Sequence, residues 1–332
     1  MICMKIINTI ISKEFEMNNY LNEYSTCFID IETTGLSRTF NYIYLIGILH
    51  HNSTNNAWEI TQLLADNKND EKIILRKFIK FIANFSKIIT FNGNTFDIPF
   101  INERLNMLDI DYEITMDKSF DIYKIIKENR YYLNLDSLKL KSLEEYLGIF
   151  RDDIYSGKDC IRFYLDYAKN RDLDLKKRIL QHNYDDLYYM LDVMEILNII
   201  KKKKQININL DDNEISLIID KINISGDILS INGYVDNDFK IRIMYYDSNY
   251  NILFYDTGKF ELTLECSLGF VTPTIKGYFI DKNKIALSDR IKDSTMFKLP
   301  SNILLVKIDK DYCMENIKNL MIELINRSLK EI

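Results

Sequence analysis

Short apolar runs separated by turn residues set the pattern of the first half of the chain. CFIDIE (27–32) reads as a buried strand interrupted by two carboxylates. TTGLSRTF follows as a turn, and YIYLIGIL (42–49), nearly all apolar, reads as a central strand of a sheet. Trp58 to Leu64 suits a third strand. DEKIILRKFIKFIANF (70–85) has the apolar spacing of a helix, and KIITFN (87–92) is another short buried strand. GNTFDIPFINERL is a glycine turn leading into a helix. A brief strand near Glu113–Met116, several helices and a long amphipathic helix over about Lys176–Lys203 complete this half. Three strands in a meander, then alternating helices and strands, predict an α/β sheet of mixed direction flanked by helices.

After Lys204 the pattern changes. FKIRIMY (239–245) and FELTLEC (260–266) alternate with period two, and ILSINGYV (228–235) and ILLVKI (303–308) also read as strands. Turn sequences such as DSNYN and DTGK lie between them, and residues 311–330 form an amphipathic terminal helix. The expected organisation is a first domain over residues 1–204 and a smaller, mostly β domain over 205–332 whose topology is not readable.

Composition narrows the class. A chain of 332 residues exceeds one domain's usual share, and 47% hydrophobic content supplies a core for two. No apolar run approaches a membrane span, and the N-terminal stretch lacks a small-residue cleavage site, so neither membrane nor signal peptide is expected. The five cysteines (Cys3, Cys27, Cys160, Cys266, Cys313) show neither metal-pair spacing nor a disulfide framework, which fits a reducing, cytoplasmic setting. The net charge of −6 argues against coating of nucleic acid by bulk electrostatics. It leaves room for an enzyme that grips one chain end. Residues 1–204 hold 28 basic and 30 acidic side chains, so this half becomes weakly positive if four of its acids bind metal.

The chemistry lies in acids at apolar positions. Asp30 and Glu32 share one face of a strand, about 6.6 Å apart at roughly 3.3 Å rise per residue. Two partly desolvated anions that close are costly without a positive partner. The pair reads either as carboxylates bonded to the following turn or as the start of a metal site. Asp97 reads either as a helix N-cap, with Pro99 in the first turn, or as a further ligand at the sheet edge. In HNYDDLYYMLDVM (182–194), His182, Asp186, Met190 and Met194 form one helical stripe flanked by leucines. Asp186 therefore faces inward, with His182 one turn before it. The two make either a buried His–Asp hydrogen bond or a ligand beside a proton-handling imidazole. Four carboxylates without cysteine favour Mg²⁺ or Mn²⁺, and two such ions suit in-line phosphoryl displacement.

DIETTGL, FNGNTFDIPF and HNYDD, in that order, resemble the motifs of the DEDD (DnaQ-like) superfamily of 3′-to-5′ exonucleases, which have a ribonuclease H-like fold. LNLDSLKLKSLEEYLGIFRDD (133–153) is similar to a stretch of the YprB-like predicted exonuclease branch. The resemblance covers roughly residues 24–200 and does not reach the second domain. It implies that Asp30 bridges two metals, Glu32 binds one near the terminal 3′-hydroxyl, Asp97 contributes directly or through water, and Asp186 closes the site. Thr33 and Leu36 resemble the turn that cradles the terminal nucleotide, and Asn92 and Phe96 the wall beside its sugar and base. His182 departs from the pattern. Best-known histidine-bearing members place histidine five residues before the last aspartate; here the separation is four, the spacing of tyrosine-bearing members.

The expected function is a metal-dependent 3′-to-5′ exonuclease that releases nucleoside monophosphates from the 3′ end of single-stranded DNA or RNA. The competing expectation is a nucleic-acid-binding or regulatory module on a nuclease fold with little turnover. A third makes the chain a subunit whose β domain docks a protein partner. Lys124, Lys127, Arg130, Tyr131, Tyr132, Lys139 and Lys141 read either as a solvated helix face or as the lining of a strand-binding groove.

Overall fold

Strands that are apolar nearly throughout have two faces to bury, and the first half of the chain covers both. The structure, a computed structural model, describes residues 4–13, 25–133, 135–151, 155–210, 213–236, 242–287 and 291–330. These residues form two compact units, divided between Asn198 and Ile199, with the short segment from Tyr131 belonging to the second.

The first unit is built on a six-stranded sheet. Its strands are β1 (Met4–Ile11), β2 (Thr26–Thr33), β3 (Ile43–Asn52), β4 (Ala57–Ala65), β5 (Lys87–Thr90) and β6 (Ser119–Asp121). They lie in the order β1-β4-β3-β2-β5-β6. Neighbours from β1 to β2 are antiparallel, whereas β2, β5 and β6 run parallel. This is the mixed α/β sheet expected of the sequence.

Helices cover each face. Ile74, Leu75 and Phe78 of α1 (Glu71–Ile82) and Ile98, Phe100 and Ile101 of α2 (Asp97–Met107) pack with Cys27, Ile29 and Ile31 of β2. On the other face, Tyr44 and Leu45 of β3 pack with Phe163, Tyr164 and Tyr167 of α5 (Gly157–Asn170) and Ile179 of α6 (Leu173–Val193). Strand alternation then sends Phe28, Asp30 and Glu32 toward α5 and α6. A buried ion pair, Arg104 to Glu71 at 2.7 Å, ties α2 to α1, and Glu71 also accepts from the Ile43 N–H at 2.9 Å.

Two expectations are corrected, and one strand is added. The N-terminal apolar stretch forms an edge strand, β1. Glu113–Thr115 is not a strand; β6 lies at Ser119–Asp121, where it pairs in parallel register with Ile88–Thr90. The helix expected over 176–203 is two, α6 and α7 (Glu195–Lys204), broken at Met194.

The second unit carries a six-stranded antiparallel sheet in the order β10-β11-β12-β9-β8-β7. Its strands are β7 (Gln205–Leu210), β8 (Asn213–Ser225), β9 (Ile228–Val235), β10 (Ile243–Tyr246), β11 (Tyr250–Phe254) and β12 (Lys259–Glu265). A four-stranded sheet follows, of β13 (Ser267–Phe270), β14 (Lys276–Asp281), β15 (Ile303–Ile308) and β16 (Asp311–Tyr312), and then α8 (Met314–Lys330). Leu217, Ile231, Phe260 and Leu304 share one core with Leu320 and Leu324 of α8. The start of the expected strand at 239–245 lies outside the described residues, and β10 begins at Ile243. Among the described residues no helix is long and apolar enough to cross a membrane.

Candidate active site

The site lies at the carboxyl ends of β2, β5 and β6, where ligands gather in open α/β sheets. Pairing of β2 with β5 runs only from Thr26–Lys87 to Phe28–Ile89. Beyond it, the Ile31 N–H donates to Asp97 Oδ1 at 3.2 Å. Asp97 thus continues the sheet's hydrogen bonding by side chain. Asp97 is the first residue of α2 and Phe96 its N-cap, so Asp97 does not occupy the cap position.

Asp121, at the end of β6, holds the segment that delivers Asp97. Its two oxygens accept from the Asn92 and Asn94 N–H groups at 2.9 and 3.0 Å, and it caps α3 (Ile122–Glu128). Asn92 takes φ +66°, a left-handed conformation that asparagine tolerates. The turn after β2 is fastened to the same segment by Arg38, which donates to the Thr95 carbonyl at 2.8 Å.

From the opposite face, α6 supplies His182, Asn183 and Asp186. Asp30, Gly47 and Gln62 lie side by side across β2, β3 and β4. Asn183 packs over Gly47, donating to Asp30 Oδ2 at 2.7 Å and accepting from Gln62 Nε2 at 2.8 Å. A Cβ on Gly47 would come within 2.3 Å of Asn183 Oδ1, so this glycine is the opening through which the helix reaches the strand. Tyr44, fully buried, donates its hydroxyl to Glu32 Oε2 at 3.3 Å.

Glu32, His182 and Asp186 each offer a donor atom, and these atoms lie within 4.8 Å of one another. His182 Nε2 is 3.8 Å from Glu32 Oε1 and 3.8 Å from Asp186 Oδ2. Asp30 and Asp97 fall outside that tight set but share its field. Burial pushes the Asp30 carboxyl well up, and the charges of Asp186, Glu32 and Asp97 push it further. Burial raises Glu32 to about 7 against the pull of His182, with Asp186 adding repulsion. Burial likewise raises Asp97 to about 7, against the Ile31 N–H bond. Burial and mutual repulsion both oppose the charged forms of Asp30, Glu32 and Asp97, and a bound cation would offset that cost.

Of the expected substrate-binding residues, Leu36 is 84% exposed beside the turn, whereas Thr33 is buried with its hydroxyl donated to the Gly35 carbonyl at 2.8 Å. The Asn92 side chain accepts from Thr95 Oγ1 at 2.8 Å, and Phe96 is half-packed on Phe100 with ring centres 5.5 Å apart. Tyr132 of the basic and aromatic cluster is buried, which removes it from any strand-binding surface.

Four contributing residues escaped the sequence reading: Tyr44, Asp121, Arg151 and Asn183. Asn183 had a usable signal, since it precedes Asp186 by one helical turn and a glycine interrupts the apolar run of β3. Arg151 donates to Asp186 Oδ1 and to both oxygens of Glu144. No local pattern in the sequence places it there.

A family model described as the RNase_H superfamily matches residues 27–198. The uncharacterised protein YprB of Bacillus subtilis is 26% identical over 188 residues, which are 55% of this chain and 43% of YprB. The chain thus spans less than half the length of that relative. Two solved structures are similar at low identity. The family B DNA polymerase of Pyrobaculum calidifontis is 16% identical with a TM-score of 0.42, over 52% of this chain and 24% of the polymerase. E. coli exonuclease I, solved with zinc and single-stranded DNA, is 11% identical with a TM-score of 0.32, over 63% of this chain and 54% of its own.

Proposed function

Because the chain belongs to the ribonuclease H superfamily, with the family's match spanning residues 27–198, we propose that it is a metal-dependent 3′-to-5′ exonuclease acting on single-stranded nucleic acid. One observation carries this reading. Asp30, Glu32, Asp97 and Asp186, with His182 beside them, are drawn from two strand positions and two helices to one sheet end, where burial first and neighbouring charge second raise the carboxyls of Asp30, Glu32 and Asp97. The ordered motifs DIETTGL, FNGNTFDIPF and HNYDD support the polarity.

The donor set fits a pair of hard divalent cations. It is oxygen-rich, carries one imidazole and has no thiolate, which favours Mg²⁺ or Mn²⁺. Asp30, Glu32, Asp97 and Asp186 would hold them. When bound, such ions supply Lewis-acid charge to the phosphate and lower the pKa of water. The residues do the rest. His182 accepts the proton of the attacking water. Water oxygen bonds to phosphorus as the P–O3′ bond breaks, the 3′-oxygen takes up a proton from solvent, and a nucleoside monophosphate is released. Tyr44 and Asn183 orient Glu32 and Asp30. Leu36 meets the terminal nucleotide, Thr33 sets the turn that presents it, and Asn92 and Phe96 shape the wall behind it.

End-labelled strands test the polarity. With Mn²⁺ present, 5′-labelled DNA or RNA is expected to give a descending ladder. A 3′ label is expected to appear at once as mononucleotide. The reverse pattern, or internal cuts alone, contradicts the reading. Binding without cleavage under Mg²⁺ and Mn²⁺ would favour a nucleic-acid-binding module instead.

A further inference from the structure

The guanidinium of Arg151 is buried, with 3% of its side chain exposed, between Glu144 and the more open Asp186. Nε and Nη2 both donate to the carboxylate of Glu144, itself 1% exposed on α4 (Leu140–Tyr146). Nη1 donates to Asp186 Oδ1. The Tyr189 ring lies against the guanidinium, its centre 5.2 Å away. Three nitrogens are committed and one face of the plane is covered. The bidentate pair with Glu144 is neutral as a unit, so it brings little net charge to the acid cluster. What it brings is a donor at a fixed position.

Asp186 needs such a donor. Its side chain is 21% exposed, against 10% for Glu32. With Oδ1 taken by Arg151, Oδ2 is the oxygen turned to His182, 3.8 Å away.

We infer that Arg151 is a positioning residue: anchored on Glu144, it holds Oδ1 of Asp186 so that Oδ2 alone is offered to a divalent cation, and it keeps that hold when the cation binds. The inference rests on the metal-centre reading above. It differs from a simple counter-ion role, in which Arg151 would occupy Asp186 only until metal displaced it. Breaking two charge-assisted bonds to Glu144 in a buried setting opposes that displacement.

Calorimetric titration of the full chain with Mn²⁺, without nucleic acid, tests it. Arg151→Gln alone would strand the buried Glu144, so the informative variants are Arg151→Lys and the double variant Glu144→Gln/Arg151→Gln. The double variant removes the buried charge at position 144 together with its partner and carries the test if Arg151→Lys does not fold. Partners behind metal ligands are worth roughly 10–100-fold in affinity. Both variants are expected to bind Mn²⁺ at least about tenfold more weakly. Tighter binding in the double variant would show a competing counter-ion and overturn the inference. Wild-type affinity in Arg151→Lys would show that charge alone suffices, and would overturn it as well. A wild-type chain that binds no Mn²⁺ overturns both this inference and the metal-centre reading. A chain that binds Mn²⁺ with the expected losses but degrades no nucleic acid sinks only the exonuclease reading.

Discussion

Asp30 and Glu32 interrupt an apolar strand because two side chains from elsewhere receive them, Asn183 through the gap at Gly47 and Tyr44 from β3. Asn183 is fully buried, and its amide links Asp30 to Gln62. Asn183→Ala is expected to weaken Mn²⁺ binding by roughly 10–100-fold, as loss of a partner behind a metal ligand does. It should also cost about 1–3 kcal/mol of stability by leaving buried polar groups unpaired. Calorimetry and thermal melting read the two effects separately, and unchanged metal affinity would remove Asn183 from the site. The acids themselves were legible in the sequence because a carboxylate at an apolar strand or helix position is locally anomalous. Their partners were not. Asp121 reads as an ordinary helix cap, and Arg151 reaches Asp186 over 35 residues with no periodicity to mark it.

At the scale of elements, β3 and α6 approach closely only because position 47 has no side chain. Gly47→Ala would bring Cβ to 2.3 Å from Asn183 Oδ1 and 2.5 Å from Leu187 Cδ1, distances real atoms do not tolerate. A cost of about 1–3 kcal/mol is expected from such overpacking, with a lower melting temperature and weaker Mn²⁺ binding together. A variant that loses stability but keeps full metal affinity would show that the approach of α6 serves packing alone. The central elements were readable because their periods were clear, β3 as an apolar run and α1 as a helical stripe. Elements at the sheet's margins were harder. β1 is an edge strand whose Ile6 and Ile10 remain exposed, so its pattern carries little burial signal. β6 has three residues and exists through its parallel pairing with β5, a long-range partner no local window contains. The break at Met194 splits a stripe whose apolar spacing runs on through both helices, so periodicity alone did not reveal it.

For the whole molecule, the acid cluster ties stability to pH and metal. Glu32 and Asp97 have ordinary values of 4.5 and 3.8 and are raised to about 7 in the fold. Between those limits the native state binds protons that the unfolded chain releases. Their contribution is therefore present below about pH 4 and is lost as pH rises through about 7. Metal binding needs the same carboxylates deprotonated and strengthens over that range. The melting temperature in Mn²⁺ minus that in EDTA is thus expected to widen from pH 5.5 to pH 8; a constant gap would mean that the cluster does not bind the ion. The net charge of −6 is consistent with recognition at one strand end rather than along a coated strand. The most direct measurement is release of nucleoside monophosphates from single-stranded DNA and RNA by the full chain in Mn²⁺, beside EDTA and a folded Asp30→Asn variant. Release that requires Mn²⁺ and falls by at least about a hundredfold in Asp30→Asn is expected, since lost metal charge costs several kcal/mol of barrier. Equal release by Asp30→Asn, or release that persists in EDTA, would contradict a metal-dependent centre built on these acids.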